Sequence, residues 1–585
     1  MKILLTAVNA KYIHSNPAVY SLRAYAGEYR KFIEIAEYTT NQKNEYILQE
    51  IYKKKPDVLC FSCYIWNYDC IREIAAEFHK LMPDVPVWAG GPEVSYEAER
   101  TLAETPSFYG IMTGEGEASF AQLAAHYCTG TKKELLEIPG LVYRKEKAGQ
   151  TVLDFFRTAR RKPLDFSEIP FCYENMKDFK NRIVYYESSR GCPFSCSYCL
   201  SSIDKNLRFR SMELVRKELL FFIENKVPQV KFVDRTFNCN HTHAMEIWRF
   251  LKEHDRGITN FHFEIAADLL TKEELSFLSG LRPGMVQFEI GVQSVNPKTL
   301  KEIHRNMHLP AVHSAVDQIL KSGNIHVHLD LIAGLPFESY RQFAESFREI
   351  YAWKPDNLQL GFLKVLKGSY LYEHAKEYGM IYWDRPPYEI MRTKWISYEE
   401  ILRIKLVEEM LEVYYNSGQY EVTMKILDAA YPDSFDFFLS LGMFYEKNEL
   451  LKQNHSRIQR AKYLLDFLME DKKVPKDLIE ESLLFDLYYR ENIKSRPCWA
   501  KNPSEWKAVA KAFCKNGKMS HIEPFSYHFP KKEERTVSHF PKKLAEQIYV
   551  LFEYEKRDAL THQAQVTEFT NQEVKEKCRN VQKKF

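Results

Sequence analysis

The chain is predicted to be an α/β protein in three parts, because two series of short apolar strands alternate with amphipathic helices and a helical region follows them. Five βα units in residues 1–135 predict a Rossmann-like domain of the flavodoxin type, with a doubly wound parallel sheet. Six βα units in residues 181–385 predict a partial (β/α)6 barrel. Residues 136–180 have the prolines and polar residues of a linker with a small hairpin, and long amphipathic stretches predict a mostly α-helical domain in residues 386–585.

The predicted strands are short runs of apolar and β-branched residues between turn signals. In the first series they are Lys2–Thr6, Phe32–Glu37, Asp57–Phe61, Val85–Trp88 and Phe108–Met112. In the second series they are Ile183–Glu187, Gln229–Asp234, His262–Ala266, Met285–Val292, His326–Ala333 and Asn357–Phe362. The segment Ser15-Asn16-Pro17 predicts the start of the first helix, with proline in its first turn. Ligands bind at the carboxyl ends of parallel strands in both kinds of fold, so the loops after these strands are the candidate sites.

The composition argues against several classes of protein. The 585 residues include 82 basic and 79 acidic side chains, a net charge of +3, whereas a dedicated nucleic-acid-binding protein usually has a concentrated basic excess. No apolar run approaches the ~20 residues that cross a bilayer, and the amino terminus lacks the length of a signal peptide. We therefore expect a cytoplasmic protein without a membrane span. In such a chain the twelve cysteines are not expected to form a disulfide framework.

Three cysteines form a motif of their own directly after the first predicted barrel strand. Cys192, Cys196 and Cys199 have the spacing Cys-x3-Cys-x2-Cys, which can wrap three thiolates around one corner of a cubane iron–sulfur cluster. The fourth iron then lacks a protein ligand and can chelate a small molecule. A structural zinc site or three free thiols are the alternatives, but zinc usually takes four ligands from paired Cys-x2-Cys modules. We interpret the motif as the ligand set of a [4Fe–4S] cluster.

This loop, with Tyr198 before its last cysteine, resembles that of the radical S-adenosylmethionine (SAM) superfamily. Phe288–Ser294 is similar to the "GVQS" motif of coproporphyrinogen-oxidase-like members, and Asp330–Pro336 to their "DLIxGLP" motif. The resemblance implies an enzyme whose cluster cleaves SAM to a 5′-deoxyadenosyl radical. It also implies a SAM site formed by Tyr198, Asp234, Glu264, Gln293, Arg305 and Asp330. Of these, Asp234 stands where the superfamily often has a Gly-Gly-Glu element.

Glycine clusters and polar residues follow the predicted strands of the first domain, where a ligand could approach the backbone closely. A Rossmann-like domain before this barrel, with these loops, resembles the cobalamin-binding class of radical SAM proteins. The Asp-x-His-x2-Gly motif that supplies an axial histidine in the wider cobalamin family is absent. The resemblance implies a corrin site formed by Asn9, Ser62, Gly90, Gly91, Gly114, Glu115 and Gly116.

The leading hypothesis is therefore a radical SAM enzyme that performs cobalamin-dependent C-methylation or rearrangement of an unknown, small-molecule substrate. It would take its electron from a donor such as flavodoxin or ferredoxin. Three alternatives stay open. One is a cobalamin-free radical SAM enzyme, and another is a methylthiotransferase-like enzyme with a second cluster on Cys60, Cys63 and Cys70. The third is a non-catalytic iron–sulfur or corrinoid carrier. The region after residue 386 resembles an uncharacterised helical extension of some bacterial cobalamin-type members, and we interpret it as a cap over the barrel mouth.

Overall fold

The amino-terminal part of the chain is built on a seven-stranded sheet. The computed structural model describes residues 1–129, 134–145, 154–514, 519–530, 534–537, 539–558 and 560–582. The strands are β1 (Ile3–Asn9), β2 (Ile33–Thr39), β3 (Val58–Ser62), β4 (Val87–Gly90), β5 (Gly110–Met112), β6 (Leu141–Arg144) and β7 (Phe155–Arg157). Their order is β2-β1-β3-β4-β5-β6-β7, and β1 to β5 are parallel. The antiparallel hairpin β6–β7 extends the sheet into the segment predicted to be a linker.

Helices cover both faces of this sheet. They are α1 (Pro17–Tyr25), α2 (Asn44–Lys53), α3 (Tyr68–Leu81), α4 (Pro92–Ser95), α5 (Ala98–Glu104) and α6 (Glu117–Thr129). Leu4 of β1 belongs to an apolar cluster with α2 and α3, whereas Leu5 belongs to a second cluster with α1 and α6. Because both faces are buried, the inner strands β1, β3 and β4 are mostly apolar, as in doubly wound parallel sheets. The predicted Rossmann-like domain is confirmed, and so is the proline at the start of α1.

The second sheet is parallel and has six strands. They are β8 (Val184–Tyr186), β11 (Gln229–Phe232), β12 (Asn260–Glu264), β13 (Val286–Gln293), β14 (His326–Ala333) and β15 (Asn357–Phe362). A short antiparallel ribbon, β9 (Ser189–Arg190) and β10 (Arg208–Phe209), lies between the first two of these strands in the chain. The strand order β15-β14-β13-β12-β11-β8 follows the chain, and β8 and β15 are the two edges. The predicted partial barrel is confirmed.

The outer surface of the barrel is covered by helices, while its interior is polar. The helices are α7 (Met212–Glu224), α8 (His241–His254), α9 (Lys272–Ser279), α10 (Pro297–Glu302), α11 (Leu309–Ser322), α12 (Tyr340–Ala352) and α13 (Tyr370–Glu373). Buried and partly buried residues alternate along β13 and β14. The buried set is apolar and joins the helices in one core, so the alternate residues, such as Glu289 and His328, point into the barrel.

The carboxyl-terminal region is mostly helical, as predicted, but ends in a sheet that the sequence analysis did not predict. After the ribbon β16 (Ile381–Tyr382) and β17 (Ile390–Arg392) come α14 (Tyr398–Leu411), α15 (Glu421–Ala430), α16 (Ser434–Lys447), α17 (Arg457–Asp471), α18 (Lys476–Arg490) and α19 (Lys507–Phe513). The sheet has the order β18 (Ser520–Tyr527), β19 (Lys543–Arg557) and β20 (Ala564–Phe569), and α20 (Asn571–Gln582) follows it. None of the helices in the described ranges combines the length and apolar character that a bilayer crossing requires.

The carboxyl-terminal region covers the barrel edge at β15. A π-helical turn, Glu412–Asn416, follows α14 and places Asn416 beside this strand. The Leu358 N–H donates to Asn416 Oδ1 at 2.9 Å, and Asn416 Nδ2 donates to the Leu358 carbonyl at 2.8 Å. Arg535 approaches the same edge, where its guanidinium lies 3.2 Å from Asp356 Oδ1. The amide side chain therefore takes the place of a neighbouring strand, which leaves less of an open edge for unwanted pairing.

We expect Asn416→Ala to lower the stability of the protein by about 1–2 kcal/mol, because it removes the partners of both Leu358 backbone groups. The measurement is the midpoint of thermal unfolding. Asn448→Ala is the matched control, because the Asn448 amide is exposed and donates only to the Phe444 carbonyl of its own helix. Equal midpoints for Asn416→Ala and the unaltered protein would contradict this account of the edge.

Candidate active site

The three motif cysteines lie on a closed loop between β9 and β10, residues 191–207, which we call the Cys loop. The two strands pair antiparallel and hold its ends together. Gly191 approaches the other arm so closely that a Cβ atom would lie 2.6 Å from the Asn206 carbonyl oxygen. The Cys192 N–H donates to the Asp204 carbonyl at 3.1 Å. These contacts fix the loop at the carboxyl end of β8.

Two of the thiols are buried, those of Cys192 and Cys196, and Cys199 is partly exposed. The Arg305 guanidinium donates to Cys196 Sγ at 3.6 Å, and Thr236 Oγ1 lies 3.8 Å from Cys192 Sγ. Among the described residues, no three Cys, His, Asp or Glu side chains converge as a metal centre, so the loop gathers the cysteines without bringing their sulfur atoms together. The donor set nevertheless fits a [4Fe–4S] cluster, because it offers three thiols on one fixed loop beside a cation that stabilises thiolate.

Four residues predicted to bind SAM meet at the carboxyl ends of neighbouring strands. Glu264 ends β12, Gln293 ends β13, Asp330 lies in β14, and Arg305 follows α10. Three of them carry a buried polar atom without a hydrogen-bond partner, namely Gln293 Oε1, Arg305 Nε and Asp330 Oδ1. Leaving such an atom unpaired costs about 1–3 kcal/mol, so native structures contain few of them. Their convergence here indicates a polar ligand.

The backbone at Gln293 supports the same interpretation. Its φ is +72°, and the register of β13 against β14 shifts between Gly291 and Gln293. A Cβ at Gly291 would collide with Gln293 Nε2, so the glycine makes room for this side chain. The Arg305 guanidinium also donates to the Gly291 carbonyl. A non-glycine residue held at positive φ stores strain, which is commonest where a side chain must be placed for function.

The electrostatics of this site favour a cationic ligand. Burial raises the pKa of Asp330 well above its usual range, and the nearby Glu289 and Glu264 carboxylates raise it further. Burial also raises the pKa of Glu264, with a further contribution from Glu289. Lys231 Nζ lies 2.9 Å from Glu289 Oε2 but 4.0 Å from Glu264, so it compensates them unequally. A positive ligand would relieve this crowding of carboxylates, and SAM carries both a sulfonium and an ammonium group.

The sequence analysis missed a polar cluster inside the barrel, below these strand ends. His262 Nε2 lies 3.1 Å from Glu289 Oε2, and Gln287 Nε2 lies 2.9 Å from His328 Nε2. Burial alone would raise the pKa of Glu289, but the neighbouring His262 and Lys231 outweigh it and lower the pKa to about 2. Burial lowers the pKa of His328 to about 3. In the sequence, this cluster is indicated by the period-two spacing of polar residues within otherwise apolar strands.

Asp234 is fully buried and already has protein partners. Its Oδ2 accepts the Ser188 N–H at 2.9 Å, and its Oδ1 accepts the hydroxyls of Ser188 at 2.7 Å and Ser189 at 2.5 Å. The carboxylate thus braces the chain just before the Cys loop, and its contact with SAM stays a prediction. Tyr198 packs against the barrel core, and burial raises its pKa.

A cavity of about 1660 Å³ lies between the carboxyl ends of the first sheet and the barrel, and we call it the front cavity. Barrel residues including Glu187, Arg190 and Arg235 line one side of it. On the opposite side it is lined by all seven residues predicted to contact a corrin: Asn9, Ser62, Gly90, Gly91, Gly114, Glu115 and Gly116. One space therefore extends from the predicted corrin residues to the Cys loop, whose residues Ile203, Asp204 and Asn206 also line it.

The deep part of the front cavity is apolar. It reaches between the sheet and helices α1 and α6, where Val19, Trp88, Met112 and Phe120 line it. A cobalamin has a broad corrin with amide edges and a nucleotide tail that ends in an aromatic base. A large crevice at the strand ends with an apolar channel behind it suits both parts, so the residues present fit this group.

Glycine is needed at two positions of the front cavity for different physical reasons. Gly114 has nothing within 4 Å of the place where a Cβ would lie, so its backbone faces open space, as close approach of a ligand requires. At Gly91, by contrast, a Cβ would collide with the Cys63 carbonyl. The protein's own packing therefore requires glycine at position 91, a reason that the sequence pattern could not distinguish from ligand approach.

Asn9 and Ser62 line the cavity with their polar groups already hydrogen-bonded. Asn9 Nδ2 donates to Glu37 Oε1 at 2.9 Å, and Ser62 Oγ accepts from Asn16 Nδ2 at 3.3 Å. These bonds hold the ends of β1 and β3 in place. Direct contact of either side chain with a corrin stays a prediction.

Two glutamates of the cavity wall bind arginines that flank the Cys loop. The Glu115 carboxylate pairs with Arg208 and also accepts the Leu164 N–H at 3.1 Å. Glu117 is buried and accepts from Arg190 at 2.6 Å. Burial would raise the pKa of Glu117, but the Arg190 charge outweighs it and lowers the pKa. The structure thus gives Glu115 a role between domains, and sequence reasoning missed both arginines.

Three family models match separate parts of the chain. They are "B12 binding domain" over residues 3–124, "Radical SAM superfamily" over residues 186–350 and "Protein of unknown function (DUF4080)" over residues 376–572. The chain therefore combines a B12 binding domain, a radical SAM domain and a DUF4080 region. The first model spans every predicted corrin residue, and the second spans the Cys loop and the strand ends described above. The cofactors of a radical SAM protein with this domain are a [4Fe–4S] cluster, SAM and cobalamin.

Similar relatives carry out more than one kind of reaction. The "Uncharacterized methyltransferase PH0819" of Pyrococcus horikoshii is 28% identical over 340 residues, which cover 56% of this chain and 71% of the relative. The "Cobalamin-dependent radical SAM methyltransferase TokK" of Streptomyces tokunonensis is 26% identical, covering 56% of this chain but only 50% of TokK. The "Anaerobic magnesium-protoporphyrin IX monomethyl ester cyclase" of Synechocystis is 21% identical, covering 57% of this chain and 67% of the cyclase.

Solved radical SAM structures share the fold. The cobalamin-dependent SAM radical enzyme OxsB, with aqua-cobalamin and SAM bound, matches with a TM-score of 0.57 and 17% identity over 83% of this chain and 78% of OxsB. The methyltransferase TsrM from Kitasatospora setae, with cobalamin and a [4Fe–4S] cluster bound, matches with a TM-score of 0.53 and 17% identity over 66% of this chain and 82% of TsrM. At these identities the likeness establishes the architecture alone.

We expect the variant with Cys192, Cys196 and Cys199 all changed to alanine to lose the cluster, because no other cysteines lie on the Cys loop. The measurement is the iron content and visible absorption of anaerobically reconstituted protein. The control variant changes Cys128 and Cys498, which lie far from the loop in sequence, and it should keep its iron. Iron retained by the triple variant would show that the ligands lie elsewhere.

We expect Asp330→Ala and Gln293→Ala each to weaken SAM binding by about 1–3 kcal/mol, because each removes a buried protein acceptor that would hydrogen-bond to the ligand. The measurement is calorimetric titration of SAM into cluster-loaded protein. Asp317→Ala is the control, because Asp317 is half-exposed on α11 and pairs with Lys321. Both site variants should retain the cluster. Wild-type affinity in both would remove these side chains from the SAM site.

Proposed function

We propose that the protein is a radical SAM enzyme that uses cobalamin to methylate a carbon atom of a small-molecule substrate. The observation that carries this proposal is the front cavity, because residues predicted to contact the corrin and residues at the barrel mouth line the same space. When bound, the cluster and SAM supply a 5′-deoxyadenosyl radical and cobalamin supplies a methyl group. A substrate in this cavity would lie against the predicted corrin residues and beside the Cys loop.

The strand-end residues have distinct tasks in this proposal. Arg305 presents a planar guanidinium that can pair with the SAM carboxylate. Asp330 and Glu264 accept from the SAM ammonium or the ribose hydroxyls, and their crowding favours the cationic form of the ligand. Gln293 directs Oε1 into the same space. All are partly or largely buried, which limits the water that could quench a radical.

The segment after β15 contacts the front domain beside the cavity, and Tyr388 of the carboxyl-terminal region takes part, which supports the interpretation of that region as a cap. Lys367 Nζ lies 3.2 Å from Glu93 Oε1, and the Tyr388 hydroxyl donates to the same buried carboxylate. The Tyr372 hydroxyl donates to Glu97 at 2.7 Å. Glu93 lies in α4 and Glu97 directly precedes α5, next to the cavity residues Ser95 and Tyr96, so Tyr388 joins the carboxyl-terminal region to the front domain near the cavity.

The surroundings of Cys60, Cys63 and Cys70 do not favour the second cluster of a methylthiotransferase-like enzyme. Burial raises the pKa of Cys60 to about 12 and that of Cys70 to about 11, and it also raises the pKa of Cys63. The Cys70 thiol donates to Asn44 Oδ1 at 3.0 Å. Neutral thiols in apolar surroundings are poor cluster ligands, because the ligand form is the thiolate. The unpaired polar atoms at the strand ends argue against a carrier that binds no SAM.

A radical SAM protein needs a reductant. We propose that a cytoplasmic flavodoxin or ferredoxin delivers the electron, through the side of the Cys loop where Cys199 is partly exposed. The substrate class is left open by the names of the relatives, which include methyltransferases and cyclases. A ring-forming reaction is therefore the second candidate.

The products formed from SAM distinguish these two reactions. Methylation should consume two SAM molecules per turnover, giving 5′-deoxyadenosine from one and S-adenosylhomocysteine from the other. Reduced, cobalamin-loaded protein is incubated with SAM and a cell extract as the source of substrate, and both products are quantified. We expect both to rise together and S-adenosylhomocysteine to disappear when cobalamin is omitted.

The triple cysteine variant is the control and should give neither product above background. Abundant 5′-deoxyadenosine without S-adenosylhomocysteine, once extract has been added, would exclude methyl transfer while leaving the radical SAM assignment intact. Absence of both products with extract from several growth conditions would contradict the enzymatic proposal.

A further inference from the structure

Three consecutive cations, Arg160, Arg161 and Lys162, line the front cavity, and we call them the basic turn. Arg160 and Lys162 are exposed and have no hydrogen bond or ion pair with any other part of the chain that the structure describes. Arg161 donates to two neutral acceptors, Ser119 Oγ and Gln122 Oε1, each at 2.7 Å. No described carboxylate therefore compensates the charge of this turn.

Three of the other four arginines that line the cavity are paired with carboxylates. Arg157 binds Glu99, and Arg190 and Arg210 bind glutamates of α6 and α7 at 2.6 Å. Burial lowers the pKa of Arg161, as expected for a guanidinium without an acidic neighbour. The basic turn thus creates an uncompensated positive potential in a cavity whose other arginines are largely neutralised, which favours an anionic group of a ligand.

The position of the turn indicates which part of a ligand it meets. Ser119 and Gln122, which hold Arg161, lie in α6, and the same helix supplies Phe120 to the apolar channel of the front cavity. The cations therefore lie beside α6 and share the cavity with the apolar side chains of Trp88 and Phe120. A ligand that fits both features has an apolar base in the channel joined to the rest of the molecule by an anionic linker.

We propose that the basic turn binds the phosphodiester of the nucleotide tail of cobalamin, with the base of the tail in the channel beside α6. The proposal rests on cobalamin binding, which is part of the proposed function. It assigns a contact to the segment after the front sheet rather than to the loops at the strand ends. Phosphate is the group that exposed, unpaired Arg and Lys side chains recognise best.

The test compares hydroxocobalamin with cobinamide, a corrinoid that lacks the phosphodiester and base. Dissociation constants are measured by visible-absorption titration of the full-length protein. We expect Arg160→Ala/Lys162→Ala to weaken cobalamin binding at least about tenfold and to leave cobinamide binding nearly unchanged, because only cobalamin loses a charge-assisted contact. Added salt should weaken cobalamin binding to the wild type more than to the double variant.

Arg157→Ala is the matched control, because Arg157 lines the same cavity in the same segment but is paired with Glu99. It should bind both corrinoids like the wild type. Free phosphate offers the same anionic oxygens as the phosphodiester. Calorimetric titration with inorganic phosphate therefore tests whether the basic turn binds free phosphate instead. Phosphate binding that the double variant loses, with unchanged cobalamin affinity, would assign the turn to a free phosphate and overturn the proposal.

An equal loss for both corrinoids would mean that the turn only shapes the crevice, which also overturns the proposal. Wild-type cobalamin affinity in the double variant would likewise overturn the proposal. These results leave cobalamin binding itself intact. If the wild-type protein binds neither corrinoid, the proposed function fails together with this inference.

Discussion

The arrangement of the two sites depends on the buried ion pair between Arg190 and Glu117. Arg190 lies two residues before Cys192, and its guanidinium also contacts Glu187 at 3.0 Å, while Glu117 starts the helix that follows the glycine loop of the front cavity. Removing one partner of a buried pair typically costs about 3–5 kcal/mol, because the other charge is left uncompensated. This contact therefore fixes where the cluster loop stands relative to the predicted corrin crevice. The front sheet otherwise has its own two apolar clusters, so polar contacts, together with Tyr20 of α1 packed against Phe179, join it to the barrel.

The carboxyl-terminal region is attached in a different way. One apolar cluster runs from Val184 in the first barrel strand to Ala564 in the last sheet, so the barrel and this region share a core. Asn416 and Arg535 add polar contacts at the β15 edge. A partial barrel leaves two strand edges open, and here one is covered by a region built around it. This explains physically why the helical region behaves as part of the barrel rather than as a separate appendage.

Much of the fold and of the cluster loop could be predicted from sequence, because both depend on local patterns. Strand periodicity located the eleven main strands, and the cysteine spacing located the loop. What could not be predicted depends on distant partners. Nothing near Asp234 in the sequence reveals that Ser188 and Ser189 occupy its oxygens, and nothing near Glu115 reveals Arg208. The strand β19 was missed because its flanks are rich in Lys, Glu, Leu and Ala, residues common in helices, although its centre is β-branched and aromatic.

The crowding of carboxylates at the strand ends has a consequence for turnover. For SAM bound beside Asp330, Glu264 and Glu289, the ligand has a net charge of +1, whereas methionine and 5′-deoxyadenosine are neutral overall. Burial and mutual repulsion raise the pKa of Asp330 and Glu264. A nearby cation therefore stabilises the ionised forms of these carboxyl groups, and they lose that stabilisation when the cation is lost. If these side chains form the SAM site as predicted, they would bind the reactant more tightly than the products. Lys231 moderates the effect, since its contact with Glu289 keeps one carboxylate ionised and compensated throughout. With SAM bound there, the barrel interior would combine one fixed ion pair with two carboxylates that gain further charge compensation from the ligand.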